Sequence, residues 1–82
     1  MNVYKTHGTC SRAIEFEVED GILTHCHFVA GCPGNTQGVA ALVTGMPIDK
    51  VIETLKGIPC RGNTSCPDQL ARALEEYKKN NA

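Results

Sequence analysis

Between Ala13 and Asp20 apolar and acidic residues alternate without a break. Ile14, Phe16 and Val18 fall on one side, and Glu15, Glu17 and Glu19 on the other. A period of two with one charged face describes a half-buried strand. Asp20-Gly21 follows at once and predicts a hairpin turn. Ile22 to Ala30 is then the returning strand. Its two faces are Ile22, Thr24, Cys26, Phe28 and Leu23, His25, His27, Val29. The first set avoids both histidines and is the expected core face. Upstream, Val3 to Thr6 is short and β-prone and ends at His7-Gly8-Thr9, a turn sequence. Together these runs predict a three-stranded antiparallel meander, wet on one side.

The pattern changes at Gly31-Cys32-Pro33-Gly34-Asn35. Beyond it Val39, Leu42 and Val43 recur at helical spacing, and Gly45 closes that helix. Pro47 fits the first turn of a second helix, whose stripe is Ile48, Val51, Ile52 and Leu55. Gly57 stops it. A loop from Ile58 to Asn63 leads into Thr64-Ser65-Cys66-Pro67-Asp68. Pro67 opens a third helix there, and Ser65 with Asp68 has capping-box spacing. Leu70, Ala73, Leu74 and Tyr77 form its apolar stripe, and Lys78 to Ala82 are expected to fray. Strands followed by helices imply an α+β fold of two layers, one domain over residues 1–82, with no repeat or linker.

Composition narrows the function. In 82 residues the core is small, and only four side chains are aromatic, none of them Trp, so something besides packing is expected to hold the fold. Eight Lys and Arg against nine Asp and Glu give a net charge of -1, which excludes a basic footprint for nucleic acid. No apolar run approaches the roughly 18 residues of a transmembrane helix. Met1 to His7 is polar and lacks a signal-peptide core, so a cytoplasmic, reducing location is expected.

Against that background the five cysteines stand out: Cys10, Cys26, Cys32, Cys60 and Cys66. An odd count without an export signal argues against a disulfide framework and for metal ligation, with thiol redox chemistry and inert buried thiols as the other readings. Five residues separate Cys26 from Cys32 and Cys60 from Cys66, wider than the usual zinc-ligand spacing, so local structure has to choose the set. Cys32-Pro33 and Cys66-Pro67 both fall at helix starts. Unpaired N–H groups and the positive end of the helix dipole favour an anionic side chain there. Cys10 opens the second strand after a glycine turn. Cys60 precedes the third helix in a loop that Gly62 and Asn63 allow to double back. Cys26 lies mid-strand on the expected core face and reads as a small buried hydrophobe. The expected four-thiolate site is therefore Cys10, Cys32, Cys60 and Cys66, with Cys26 in place of Cys10 left open. His25 and His27 share a strand face suited to chelation, but opposite the glutamates they read more simply as a solvated sheet face. His7 is a backup ligand. Asp68 is either a helix-start carboxylate or an acceptor behind the metal ligands.

Thr64-Ser65-Cys66-Pro67-Asp68 spells the signature of the TSCPD domain family. The resemblance extends through Gly31-Cys32-Pro33-Gly34-Asn35 and Leu55-Lys56-Gly57-Ile58-Pro59-Cys60, nearly the whole chain. A related domain occurs near the C-terminus of adenosylcobalamin-dependent ribonucleotide reductases. The resemblance thus implies a link to ribonucleoside-diphosphate reduction and a reductase as partner. More distantly, the chain resembles iron–sulfur cluster scaffold proteins of the NifU/IscU type, which also place helices after a β-meander. Cys10, Gly31-Cys32 and Cys66 occupy the positions of that family's cysteines in order. Arg12 stands where those scaffolds carry an aspartate, and Ser65 where they carry histidine or lysine. Cys60 adds a fourth thiolate that they lack, which resembles a closed structural zinc centre more than a transient cluster cradle.

Three functions follow as expectations. The first is a metal-binding module, not catalytic on its own, holding Zn²⁺ or an iron–sulfur cluster on the four cysteines. The second is an accessory or regulatory protein for a ribonucleotide reductase, since 82 residues hold neither a substrate barrel nor a Gly-rich phosphate loop. The third is a thiol redox or sulfur carrier protein using Cys32 or Cys66, disfavoured by the absence of a CxxC motif.

Overall fold

A computed structural model describes residues 2–6, 11–30, 33–58 and 65–81. Its elements are β1 (Asn2–Lys5), β2 (Ser11–Glu19), β3 (Ile22–Ala30), α1 (Pro33–Val43), α2 (Ile48–Leu55) and α3 (Cys66–Asn81). The strands form one antiparallel sheet in the order β1-β2-β3, the meander read from the alternating sequence. Glu19 pairs with Ile22, so the turn has two residues, Asp20 at φ 52° and Gly21 at φ 77°. Positive φ at both positions is the hairpin conformation whose twist matches the strands, and Asp-Gly adopts it at little cost.

Ile14, Phe16, Leu23 and Phe28 bury the inner face of the sheet, with Val18 and Cys26 partly buried beside them. The expected face of β3 needs one correction. Leu23 is wholly buried and Thr24 exposed, the reverse of their predicted sides. Glu17 pairs with His25 but Val18 pairs with Leu23, which leaves Thr24 as an extra residue on β3. Its hydroxyl donates to the Glu17 carbonyl at 3.2 Å. A one-residue bulge exchanges the faces on its two sides, so parity holds for Cys26 and Phe28 and inverts before Thr24.

The first helix corrects a second expectation. Thr36 and Val43 are buried and Val39 and Ala40 partly so, while Leu42 is 78% exposed. Residues 39 and 43 lie about 40° apart around a helix, but 42 and 43 about 100°, so one apolar neighbour has to face outward. The connection from α1 to α2 is tied to the start of β3. Leu23 N–H donates to the Met46 carbonyl at 2.9 Å, Gly45 N–H to the Leu23 carbonyl at 2.7 Å, and Ile48 N–H to the Gly21 carbonyl at 2.9 Å. Pro47 directly precedes α2 rather than lying in its first turn. Ile48 and Val51 enter the core, with Ile52 and Leu55 packed against it.

The last helix starts at Cys66, one residue before Pro67, and continues past Lys78 to Asn81. Lys78 is ion-paired with Asp49 of α2, and Lys56 Nζ lies 2.8 Å from Glu75 Oε2. Pairs this exposed add little, and the helix is held mainly by Leu70, Ala71, Ala73 and Leu74, all buried. The Tyr77 ring meets Phe16 edge-on at 6.1 Å between centroids. No described helix is long and apolar enough to cross a membrane.

Truncating a fully buried leucine removes apolar contact and leaves a cavity. Leu74→Ala is expected to cost about 2–5 kcal/mol in urea unfolding. Leu42→Ala, on the open side of α1, is expected to stay within about 0.5 kcal/mol. Equal losses for the two variants would contradict this packing.

Candidate metal centre

Among the four cysteines expected to share a site, Cys66 belongs to the described residues, whereas Cys10, Cys32 and Cys60 lie outside them, as does His7. The described residues next to them can nevertheless be placed. Cys66 is the first residue of α3, half-buried and packed against the core. Ser65, 4% exposed, is its N-cap. Asp68 N–H donates to Ser65 Oγ at 3.1 Å, and Gln69 N–H to the Ser65 carbonyl at 2.8 Å. This is the half of the capping box read from Ser65 and Asp68.

The same two side chains also reach away from the helix. Ser65 Oγ–H donates to the Ile58 carbonyl at 2.5 Å. Asp68 is completely buried, and its Oδ1 accepts the Gly57 N–H at 2.6 Å. Its Oδ2 accepts from Arg72 Nε at 2.8 Å, a bond that holds the guanidinium pKa above its ordinary value. A buried carboxylate without partners would be costly, and these donors compensate it. Gly57 has φ 86°, which lets the chain turn there and present its N–H. The i, i+4 spacing of Asp68 and Arg72 is visible in the sequence. The bond to Gly57, eleven positions away, has no sequence signal.

In the sheet, Ser11 pairs with Ala30 at one end of the β2–β3 ladder. Cys10 precedes Ser11, and Gly31-Cys32 follow Ala30. Ala30 sits at φ 64°, a left-handed conformation costing a non-glycine residue about 1 kcal/mol. The direction of α3 relates this sheet end to Cys66. Asn2 and Phe16, which pair with each other, border a small hollow with Tyr77 and Asn80, late in α3. At the opposite, hairpin end of the sheet, Ile48 N–H bonds the Gly21 carbonyl, and Asp49 beside it pairs with Lys78, also late in α3. The late turns of α3 therefore lie toward the hairpin, and the Ser11–Ala30 end of the sheet lies toward the helix start.

Cys26 is separate in character. It pairs across the sheet with Phe16, packs against the core, and burial pushes its thiol up to about 12. Its mid-strand position predicts a buried thiol; the residue is half-buried, and burial disfavours its thiolate. Cys26 also borders a cleft of about 300 Å³ between β3 and α1, shared with Phe28, Ala30, Thr36 and Ala40. His25 and His27 are exposed and stand directly opposite Glu17 and Glu15, on the solvated face. Among the described residues no three His, Cys, Asp or Glu side chains are grouped to hold a metal ion.

The model of the TSCPD domain family matches residues 2–78. No curated protein and no solved structure matches the chain, so the likeness to cluster scaffolds finds no support among known folds.

The Cys26 thiol carries a pH consequence. Unfolded, it ionises near the ordinary 9.0; folded, at about 12. The folded state thus keeps its proton more tightly. The stability from this group is complete below about pH 9 and is lost as pH rises toward 12. Under reducing conditions the urea midpoint of the parent protein is expected to fall more steeply across this range than that of Cys26→Ala. Parallel profiles would contradict the assignment.

Proposed function

Since the chain belongs to the TSCPD domain family, we infer that it is a small metal-binding module, not catalytic by itself, whose ligands are Cys10, Cys32, Cys60 and Cys66. The support is the placement of their described neighbours. Ser11 and Ala30 pair at the sheet end that lies toward the start of α3. Ser65, next to Cys66, holds Ile58, two residues before Cys60. The donor chemistry fits a thiophilic ion, because four thiolates suit Zn²⁺ and iron–sulfur clusters alike. Bound metal would add folding free energy that so small a core lacks, on the order of 10 kcal/mol in zinc-finger peptides.

A second reading rests on the family itself, since the TSCPD domain is also known from ribonucleotide reductases. In it the module binds or regulates a reductase in deoxyribonucleotide synthesis. Copurification with a reductase, or altered reductase turnover, is its expected result; neither occurring would dismiss it.

Metal analysis of protein purified without added metal tests the first reading. One zinc per chain in colourless protein, or iron with sulfide in brown protein, is the expected outcome, and chelation should lower the unfolding midpoint. Substoichiometric metal together with unchanged stability in chelator would overturn it.

A further inference from the structure

We propose that Ser65 and Asp68 are positioning residues for Cys66, locking the start of α3 to Gly57 and Ile58 so that the thiol is held ready for metal. This rests on the metal-binding reading above. Cys66 lies between the two side chains in sequence, and both reach across to the same two-residue segment. Ser65 Oγ bonds the Ile58 carbonyl at 2.5 Å and Asp68 Oδ1 the Gly57 N–H at 2.6 Å. One side chain holds an acceptor and the other a donor, so the pairing also sets the orientation of the segment. Ser65 meanwhile caps α3 through the Asp68 N–H, and Arg72 steadies the second carboxylate oxygen. Burial shields the Asp68 carboxylate from water, which strengthens these bonds.

The consequence is pre-organisation. A ligand already fixed by hydrogen bonds loses less freedom when it meets a metal, and affinity rises by that saving. The motif Ser65-Cys66-Pro67-Asp68 then combines one ligand with two supports. Ser65 supplies the cap and a tether, and Asp68 the second tether. Neither needs to touch the metal.

The test is titration of the fully reduced protein with Co²⁺, read from the thiolate-to-cobalt charge-transfer band. Ser65→Ala and Asp68→Asn are each expected to weaken Co²⁺ affinity about 10-fold or more. Ser65→Thr, which keeps the hydroxyl, should restore it. Leu23→Ala, a core truncation at the opposite end of the sheet, serves as the stability control and should leave affinity within about twofold. Circular dichroism identifies any variant that does not fold; should Asp68→Asn fail, the Ser65 series still decides. Parent-like affinity in folded Ser65→Ala and Asp68→Asn would overturn the positioning role, as would an equal loss in Leu23→Ala. Absence of any charge-transfer band in the parent protein would instead remove the metal reading, and this inference with it.

Discussion

A three-stranded sheet with a charged outer face can be stable only if its inner face is covered, and that requirement organises the molecule. Ile14, Phe16, Leu23 and Phe28 form the inner face, and each of the three helices contributes to the apolar cluster over it. Val43 comes from α1, Ile48 and Val51 from α2, and Leu70, Ala73 and Leu74 from α3. Small alanines on α3 bring its backbone close, while Tyr77 reaches Phe16 at the far end. So few large side chains leave little surplus, and the chain is correspondingly dependent on hydrogen bonds at its element ends.

Those hydrogen bonds concentrate at two junctions. The first joins the α1–α2 connection to Gly21 and Leu23, so the hairpin end of the sheet is sealed by backbone pairing. The second joins the end of α2 to the start of α3, where Ser65 and Asp68 hold Ile58 and Gly57. One junction serves packing alone. The other surrounds Cys66, and its buried carboxylate is of the kind that small cores tolerate only with full compensation. Placing such a group beside a family signature cysteine links the fold's most demanding polar contact to the residue with the most chemistry.

Much of this was legible from residue order. The meander, its Asp20-Gly21 turn, the exact span of the third strand, the three helices and the Ser65–Asp68 cap all follow from periodicity and local propensity. The positions where the structure departs from the sequence pattern share a cause. Leu23 and Thr24 exchange faces because pairing with β2 inserts a bulge, and bulges depend on the partner strand. Leu42 faces outward because the angle at which α1 meets β3 decides between neighbouring apolar positions. The third helix runs on past Lys78 because its buried stripe and the Tyr77 ring against Phe16 hold its later turns to the sheet. For the site, Cys66 at a helix start and Cys26 on the core face of its strand are both readable, whereas Gly57 as a partner of Asp68 is not.

Sequence by itself determined the class of the fold, the order of its elements, the family, and the residue types available for metal chemistry. Each of these depends on local spacing, which survives in a one-dimensional pattern. Tertiary structure alone decided which way α3 runs relative to the sheet, and therefore that its first turn lies toward the end where Ser11 meets Ala30. It also decided that Ser65 and Asp68 turn back to Ile58 and Gly57. Contacts between segments far apart in the chain arise from packing geometry and from satisfying buried polar atoms, and neither is written in the residues of one segment.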